Sequence, residues 1–277
     1  MTTNPSLHYR LSGSVSIPRL VPALLVGLGA VVMLSGAYVV LDDWIPLIYA
    51  RAAVAFAFGA LVGWVALLVI KHGHVRSIPL ASLLLALVVI FALYAQWVFY
   101  IHVVTRTEEW VVHPRQVWSI IGLINEQGLW SIRGTTFRGA ALAAVWASET
   151  AIVGGMAFWA ARELAGPAVY CETCGAWAEQ RASHGPFPWI ENPDVFRREL
   201  EMQQFSSLVA LTPMEPGPRF SATDVASCAE CRGLHVMKLF NAEVVPGEKG
   251  PERKDQVIFE NVRVPASVML ALESRKS

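Results

Sequence analysis

Four apolar runs, Leu20 to Leu41, Ala52 to Ile70, Ser77 to Thr105 and Gly139 to Ala161, constrain this chain more than any other feature. Each reaches or exceeds the roughly 20 residues that cross a bilayer as an α-helix. A water-soluble fold has no place to bury four such segments, so the expected class is an α-helical membrane protein. The composition agrees, because 54% apolar against 16% charged residues is unusual for a soluble chain of 277 residues. The apolar excess stops at residue 161, and 162–277 contains no such run. The expected architecture is a four-transmembrane-helix bundle over 20–161, with spans at 20–41, 49–70, 78–104 and 139–161. A C-terminal α+β soluble domain over 162–277 follows it.

Residues 1–19, with Ser12, Gly13, Ser14, Ser16 and Pro18, read as a short flexible lead. The first run is longer than the core of a cleaved signal and is followed by Asp42, Asp43 and Trp44 rather than small residues, which makes it a retained anchor. The loop after the second run (Lys71, His72, Gly73, His74, Arg76) is basic, whereas the loop after the first begins with acids. Basic loops stay in the cytoplasm. Both termini and the C-terminal domain are therefore expected there, where thiols remain reduced and available to metals.

The third connection holds a helical pattern at about 114–127. Pro114 suits its first turn, Val117, Ile120, Ile121 and Ile124 share a face, and Gly128 offers a stop. With Trp110, Trp118 and Trp130 around it, this helix fits either the membrane interface or a packed position over the bundle. Small residues recur at every fourth position in two spans: Ala55, Gly59 and Gly63, and Ala147, Ala151 and Gly155. Such faces let helices approach closely in lipid, either inside the bundle or against a further subunit or second copy.

All four cysteines lie in the C-terminal domain as Cys171-x-x-Cys174-Gly175 and Cys228-x-x-Cys231-Arg-Gly233. Two thiolates three residues apart on a tight turn point at one ion, and four around zinc make a closed tetrahedral site that stabilises a fold and leaves no position for substrate. A redox dithiol, iron, or unliganded thiols are the competing readings. Alternating residues from Leu234 to Phe240 and from Val257 to Val264 suggest strands, and a helical pattern runs from about Asn192 to Leu211. On these residues the domain resembles a zinc ribbon, two knuckles on β-hairpins, over the knuckles and their flanking strands. The resemblance implies a structural zinc ion held by Cys171, Cys174, Cys228 and Cys231, and an interaction surface rather than a reaction. Ribbons commonly separate their pairs by about 15–20 residues; here 53 intervene, which a helical insertion accounts for.

Glu149 interrupts the fourth run roughly 15 Å from its start, at a depth where a charge costs several kcal/mol. A hydrogen bond to Gln96 or Tyr94 of the third span is expected. The carboxyl then either ties helices together or serves proton or ion movement or a partner helix. His72 with His74, and His102 with Glu108, Glu109 and His113, are ligand types without a fixed metal spacing.

Charge and motifs narrow the function. Thirteen Lys/Arg against sixteen Asp/Glu from residue 162 onward argue against a nucleic-acid partner. No zincin, nucleophile-elbow, P-loop or dinucleotide motif occurs. The expected function is an adaptor or accessory subunit of a membrane complex. The alternatives are a transporter or channel subunit using Glu149, and a membrane enzyme without a recognisable motif. The expected partners are the bilayer and another protein subunit or a second copy.

Overall fold

The computed structural model describes residues 7–274, apart from 46–47, 107–108, 129–130, 133–134, 166–167, 179, 216 and 248–249. The chain divides into two units, Gly13–Gly166 and a second made of Met1–Ser12 with Pro167–Ser277.

The first unit contains four helices long and apolar enough to cross a bilayer: α1 (Ile17–Trp44), α2 (Ile48–His72), α3 (Ile78–Thr105) and, after the short α4 (Pro114–Gln127), α5 (Ala140–Ala165). α1 and α2 contain the apolar runs read from sequence and continue a few residues past both ends, whereas α3 and α5 begin one residue inside theirs and α5 continues to Ala165. A helix needs no apolar side chains to extend beyond the hydrocarbon core. α2 packs against α5 and α1, and α1 against α3. Val31, Val62, Val88, Ala92, Val153 and Ala157 form the heart of the bundle.

The small residues divide into two sets. Gly59 and Gly63 let α5 approach α2 so closely that a Cβ on Gly63 would stand 2.2 Å from the Ala157 carbonyl oxygen, and one on Gly59 2.6 Å from that of Val153. Ala151 and Gly155 take no part in this contact. The face α5 packs inward is Val153, Ala157, Ala160 and Ala161; two residues away around the helix, Ala147, Ala151 and Gly155 are exposed.

Helix α4 has the bounds expected of it. The His113 side chain accepts from the Arg115 N–H at its start, and Gly128 follows its end at φ +85°. Its apolar face is packed rather than free: Val117 is buried against Val98 and Ile101 of α3, while Trp118 is exposed. Trp130 lies outside the described residues. The two-residue strands β1 (Ser131–Ile132) and β2 (Thr135–Thr136) pair before α5.

In the second unit, the short hairpin of β3 (Tyr170–Cys171) and β4 (Ala176–Trp177) precedes an antiparallel sheet of β5 (Gln180–Phe187), β6 (Arg219–Ser227), β7 (His235–Gly247) and β8 (Gly250–Arg263), paired in that order. The segment between the cysteine pairs is therefore not simply helical, since β5 and β6 also lie within it. The helical pattern breaks into α6 (Pro193–Glu201) and α7 (Ser206–Ala210), separated where Gln203 takes φ +59°. The two strands read from sequence are the ends of a longer β7–β8 hairpin, and α8 (Ala266–Glu273) adds Val268, Met269 and Leu272 to the core.

Helices cover one face of the sheet through Leu200, Leu208, Met237, Leu239 and Phe259. At the end of this core sits a buried polar clasp. Asn241, fully buried, accepts from the Ile190 N–H (3.3 Å) and from Ser221 Oγ (2.6 Å), and its amide donates to the Ile190 carbonyl (3.0 Å). The side chain thus replaces a strand neighbour for Ile190 and pins the start of the helical insertion to the sheet.

Residues 7–9 also depart from the flexible lead expected of 1–19. The Tyr9 N–H donates to the Asn261 carbonyl (2.6 Å), the Arg263 N–H donates to the Leu7 carbonyl (2.8 Å), and His8 bridges Val262. They add a short stretch of backbone to the edge of β8. Tyr9 is buried with Val169, Ala178, Ala226 and Val236, which is what holds so short a segment in place.

Candidate metal centre and the polar contact in the helix bundle

The first knuckle is the turn between β3 and β4. Cys171 ends β3, the Gly175 N–H donates to the Cys171 carbonyl (2.8 Å), and Gly175 takes the left-handed φ of +65° expected at this position. The second lies between β6 and β7, where the Arg232 N–H donates to the Cys228 carbonyl (3.1 Å). Here the left-handed residue is Arg232 (φ +50°) rather than Gly233, whose N–H instead points at Cys231 Sγ (3.4 Å).

The sheet brings both turns together. The four sulfurs lie within 4.8 Å of one another, and Cys171 Sγ is 3.7 Å from Cys231 Sγ. That separation is far above the roughly 2.05 Å of a disulfide. It matches the edge of about 3.8 Å that four sulfurs 2.3 Å from a tetrahedral ion would share. The cysteines are free, Cys171 and Cys228 buried, Cys174 half-buried and Cys231 exposed, so the donor set is closed at its base and reaches the surface at one sulfur. Among the described residues this is the only grouping of His, Cys, Asp or Glu placed to share an ion.

Proton sharing among the thiols is uneven. The Gly233 N–H, with help from Cys174, draws Cys231 down to about 7, while burial raises Cys171 and the hydrogen bond to Cys231 raises Cys174. Four thiols this close do not all ionise by themselves, whereas a divalent cation favours the thiolate at every one.

Two residues that sequence reasoning passed over hold the knuckles. His235 shares one hydrogen bond with Ser227 Oγ through Nδ1 (2.7 Å) and one with the Arg232 carbonyl through Nε2 (2.8 Å), closing the base of the second turn. Its place four residues after Cys231 was the available signal. The Tyr9 hydroxyl accepts from the Tyr170 N–H (2.7 Å) and donates to the Tyr170 carbonyl (3.1 Å), fixing the backbone next to Cys171. Replacing Tyr9 with Phe should lower stability by about 1–3 kcal/mol, because both buried Tyr170 groups lose their partner. A metal-chelator competition assay should show weaker ion retention; retention equal to wild type would mean that Tyr9 does not position this knuckle.

In the bundle, Glu149 Oε1 accepts from Gln96 Nε2 (2.8 Å) and from the Tyr38 hydroxyl (2.6 Å), joining α5 to α3 and α1. Gln96 is where sequence reasoning expects it. Tyr94 is not part of the contact: two positions from Gln96, it faces elsewhere on α3, and its hydroxyl donates to the Val112 carbonyl. Tyr38, absent from the sequence reading because tyrosine near a span end reads as an interfacial anchor, is buried and stacked on Phe58 with ring centroids 4.6 Å apart.

The remaining ligand-type residues are engaged separately. His74 contacts Arg19, His102 stacks on Trp110 and His113 caps α4; Glu108 lies outside the described residues. Comparison with protein-family models, curated proteins and solved structures finds no match for the chain.

Proposed function

We propose that this chain is a multi-pass membrane protein in which α1, α2, α3 and α5 span the bilayer. The cytoplasmic unit, stapled by a structural zinc ion, acts as an adaptor or accessory subunit of a membrane complex. The observation that carries the reading is the closed four-thiolate geometry. Such a donor set suits zinc, holds a fold and offers no open coordination position for chemistry. The pairing of residues 7–9 with β8 supports an even number of crossings between them. The basic 71–76 loop and the reduced thiols favour the cytoplasm for that side. The uncovered small-residue face of α5, Ala147, Ala151 and Gly155, is suited to a further helix in lipid.

The test is purification of the full chain from mild detergent, with elemental analysis. The expected result is bound zinc and a stoichiometric companion subunit that Ala151→Leu with Gly155→Leu releases. Recovery of the chain alone as a monomer refutes the adaptor reading, and iron in the preparation refutes the zinc assignment.

A second reading, a transporter or channel subunit, is favoured by the pair of donors aimed at Glu149 inside an apolar bundle. Glu149→Gln distinguishes the two, since an adaptor tolerates it and a proton-dependent function is lost.

A further inference from the structure

The surroundings of Glu149 differ sharply along the bundle axis. Toward the connection between α1 and α2 the packed faces are polar. Asp42 follows Tyr38 by one turn of α1 and pairs with Arg51 of α2 (3.7 Å); the Arg51 and Asp42 side chains are 42% and 27% exposed. Arg51 Nε also donates to the Ile45 carbonyl (2.8 Å), which fastens the pair to that connection. On α3, Tyr100 follows Gln96 by one turn, on the same face and toward the same connection. A column therefore runs from a partly exposed ion pair, past two phenols, to the carboxyl.

Toward the connection between α2 and α3 the same faces are dry. One turn below the Glu149 level stand Ser35, Ala92 and Val153, followed by Val31, Val62 and Ala157, all fully buried. Ser35 adds no free polar group, because its hydroxyl is held between the Val31 (2.9 Å) and Ala92 (3.1 Å) carbonyls. Among the described residues, this layer offers a proton no acceptor chain.

We infer that Glu149 is a protonatable site with one-sided access, loaded and unloaded only through the Asp42–Arg51 mouth and the Tyr38 hydroxyl. In loading, a water-borne proton arriving from the mouth binds the Tyr38 oxygen as the proton already there passes to Glu149 Oε1. One O–H bond forms on each oxygen while one breaks on Tyr38 and one on the hydronium that delivers the proton, which leaves as water; the phenol is regenerated, and unloading is the reverse. Among the described residues, the titratable and charged groups facing Glu149 are Tyr38 and Asp42 of α1 with Asp43 beyond them, Arg51 of α2, and Tyr100 of α3.

The inference rests on the spanning reading of the four helices, so retention of the chain in membranes washed with alkaline carbonate is established first; release there refutes spanning itself. The full chain is then reconstituted in one orientation into liposomes, and the protonated-carboxyl infrared band that Glu149→Gln removes is followed after a pH jump on either side. The expected result is a band that follows the bath at the α1–α2 connection and ignores the opposite bath. Tyr38→Phe, which keeps the ring stacked on Phe58, should slow the response roughly tenfold or more, and Asp42→Asn should slow it in the same direction. A band that follows the opposite bath, responds to neither, or keeps its rate in both variants overturns the inference.

Discussion

Replacing Cys171 or Cys228 with serine should abolish stoichiometric metal binding and cost the second unit several kcal/mol, the largest loss expected of any point change outside the bundle. These are the buried sulfurs, and a serine there leaves three ligands around an ion that needs four. In small zinc domains metal binding is folding, with apparent energies of about 10–16 kcal/mol. The effect here should be smaller, because the sheet has a separate core around Leu200, Met237, Leu239 and Phe259 that owes nothing to the ion. What should open first is the cluster of Tyr9, Val169, Ala178 and Val236 beside the knuckles. Hydrogen exchange on the full chain in detergent checks this: protection should be lost at 168–178 and 228–236 and kept in β7 around Leu239. Uniform loss would mean that the ion governs the whole unit, and no loss that it is dispensable. The ligands must be deprotonated to bind, so acidification should mimic the substitutions, with metal retained near neutrality and released as pH falls.

Gly63→Ala should lower the stability of the helix bundle by more than the roughly 1–3 kcal/mol usual for overpacking. The new methyl carbon would stand 2.2 Å from a backbone oxygen of α5, and a backbone cannot rotate aside as a side chain can. α5 must move off α2, loosening Val62, Val153 and Ala157 together. Gly155→Ala is the internal control, with nothing within 4 Å of the added carbon. Denaturation midpoints in the same detergent should fall clearly for the first variant and stay at wild type for the second. Equal midpoints would mean that α2 and α5 do not pack through this glycine.

The bundle was legible because hydropathy is a local property: each run announces its own helix whatever it packs against. The metal centre was legible for a similar reason, since two residues of spacing encode a turn and the turn encodes the donor direction. The sheet was less so. β6 turns Ser221 and Thr223 inward, and β7 turns Asn241 inward, so the alternation that marks a strand is masked by polar residues whose partners are far away in sequence. β5 is obscured by the same polarity and by Gly185-Pro186 within it. The Gln96–Glu149 contact could be anticipated from depth alone, but the Tyr38 contact depends on the rotation of α1, which hydropathy does not specify. The division of small residues into a packed set (Gly59, Gly63) and an uncovered one (Ala151, Gly155) likewise depends on which face α5 presents.

The stretch of backbone that residues 7–9 add to β8 also bears on biogenesis. Asn261 and Arg263, its partners, are separated from Tyr9 along the chain by α1 to α7, so the edge cannot be completed until those helices have been made. If the four apolar helices cross a bilayer, an odd number of crossings would strand Tyr9 and Asn261 on opposite sides of it. The knuckle would then lack the phenol that steadies Tyr170. The pairing of residues 7–9 with β8 therefore finishes the sheet only in a chain whose intervening helices leave Tyr9 and Asn261 on the same side.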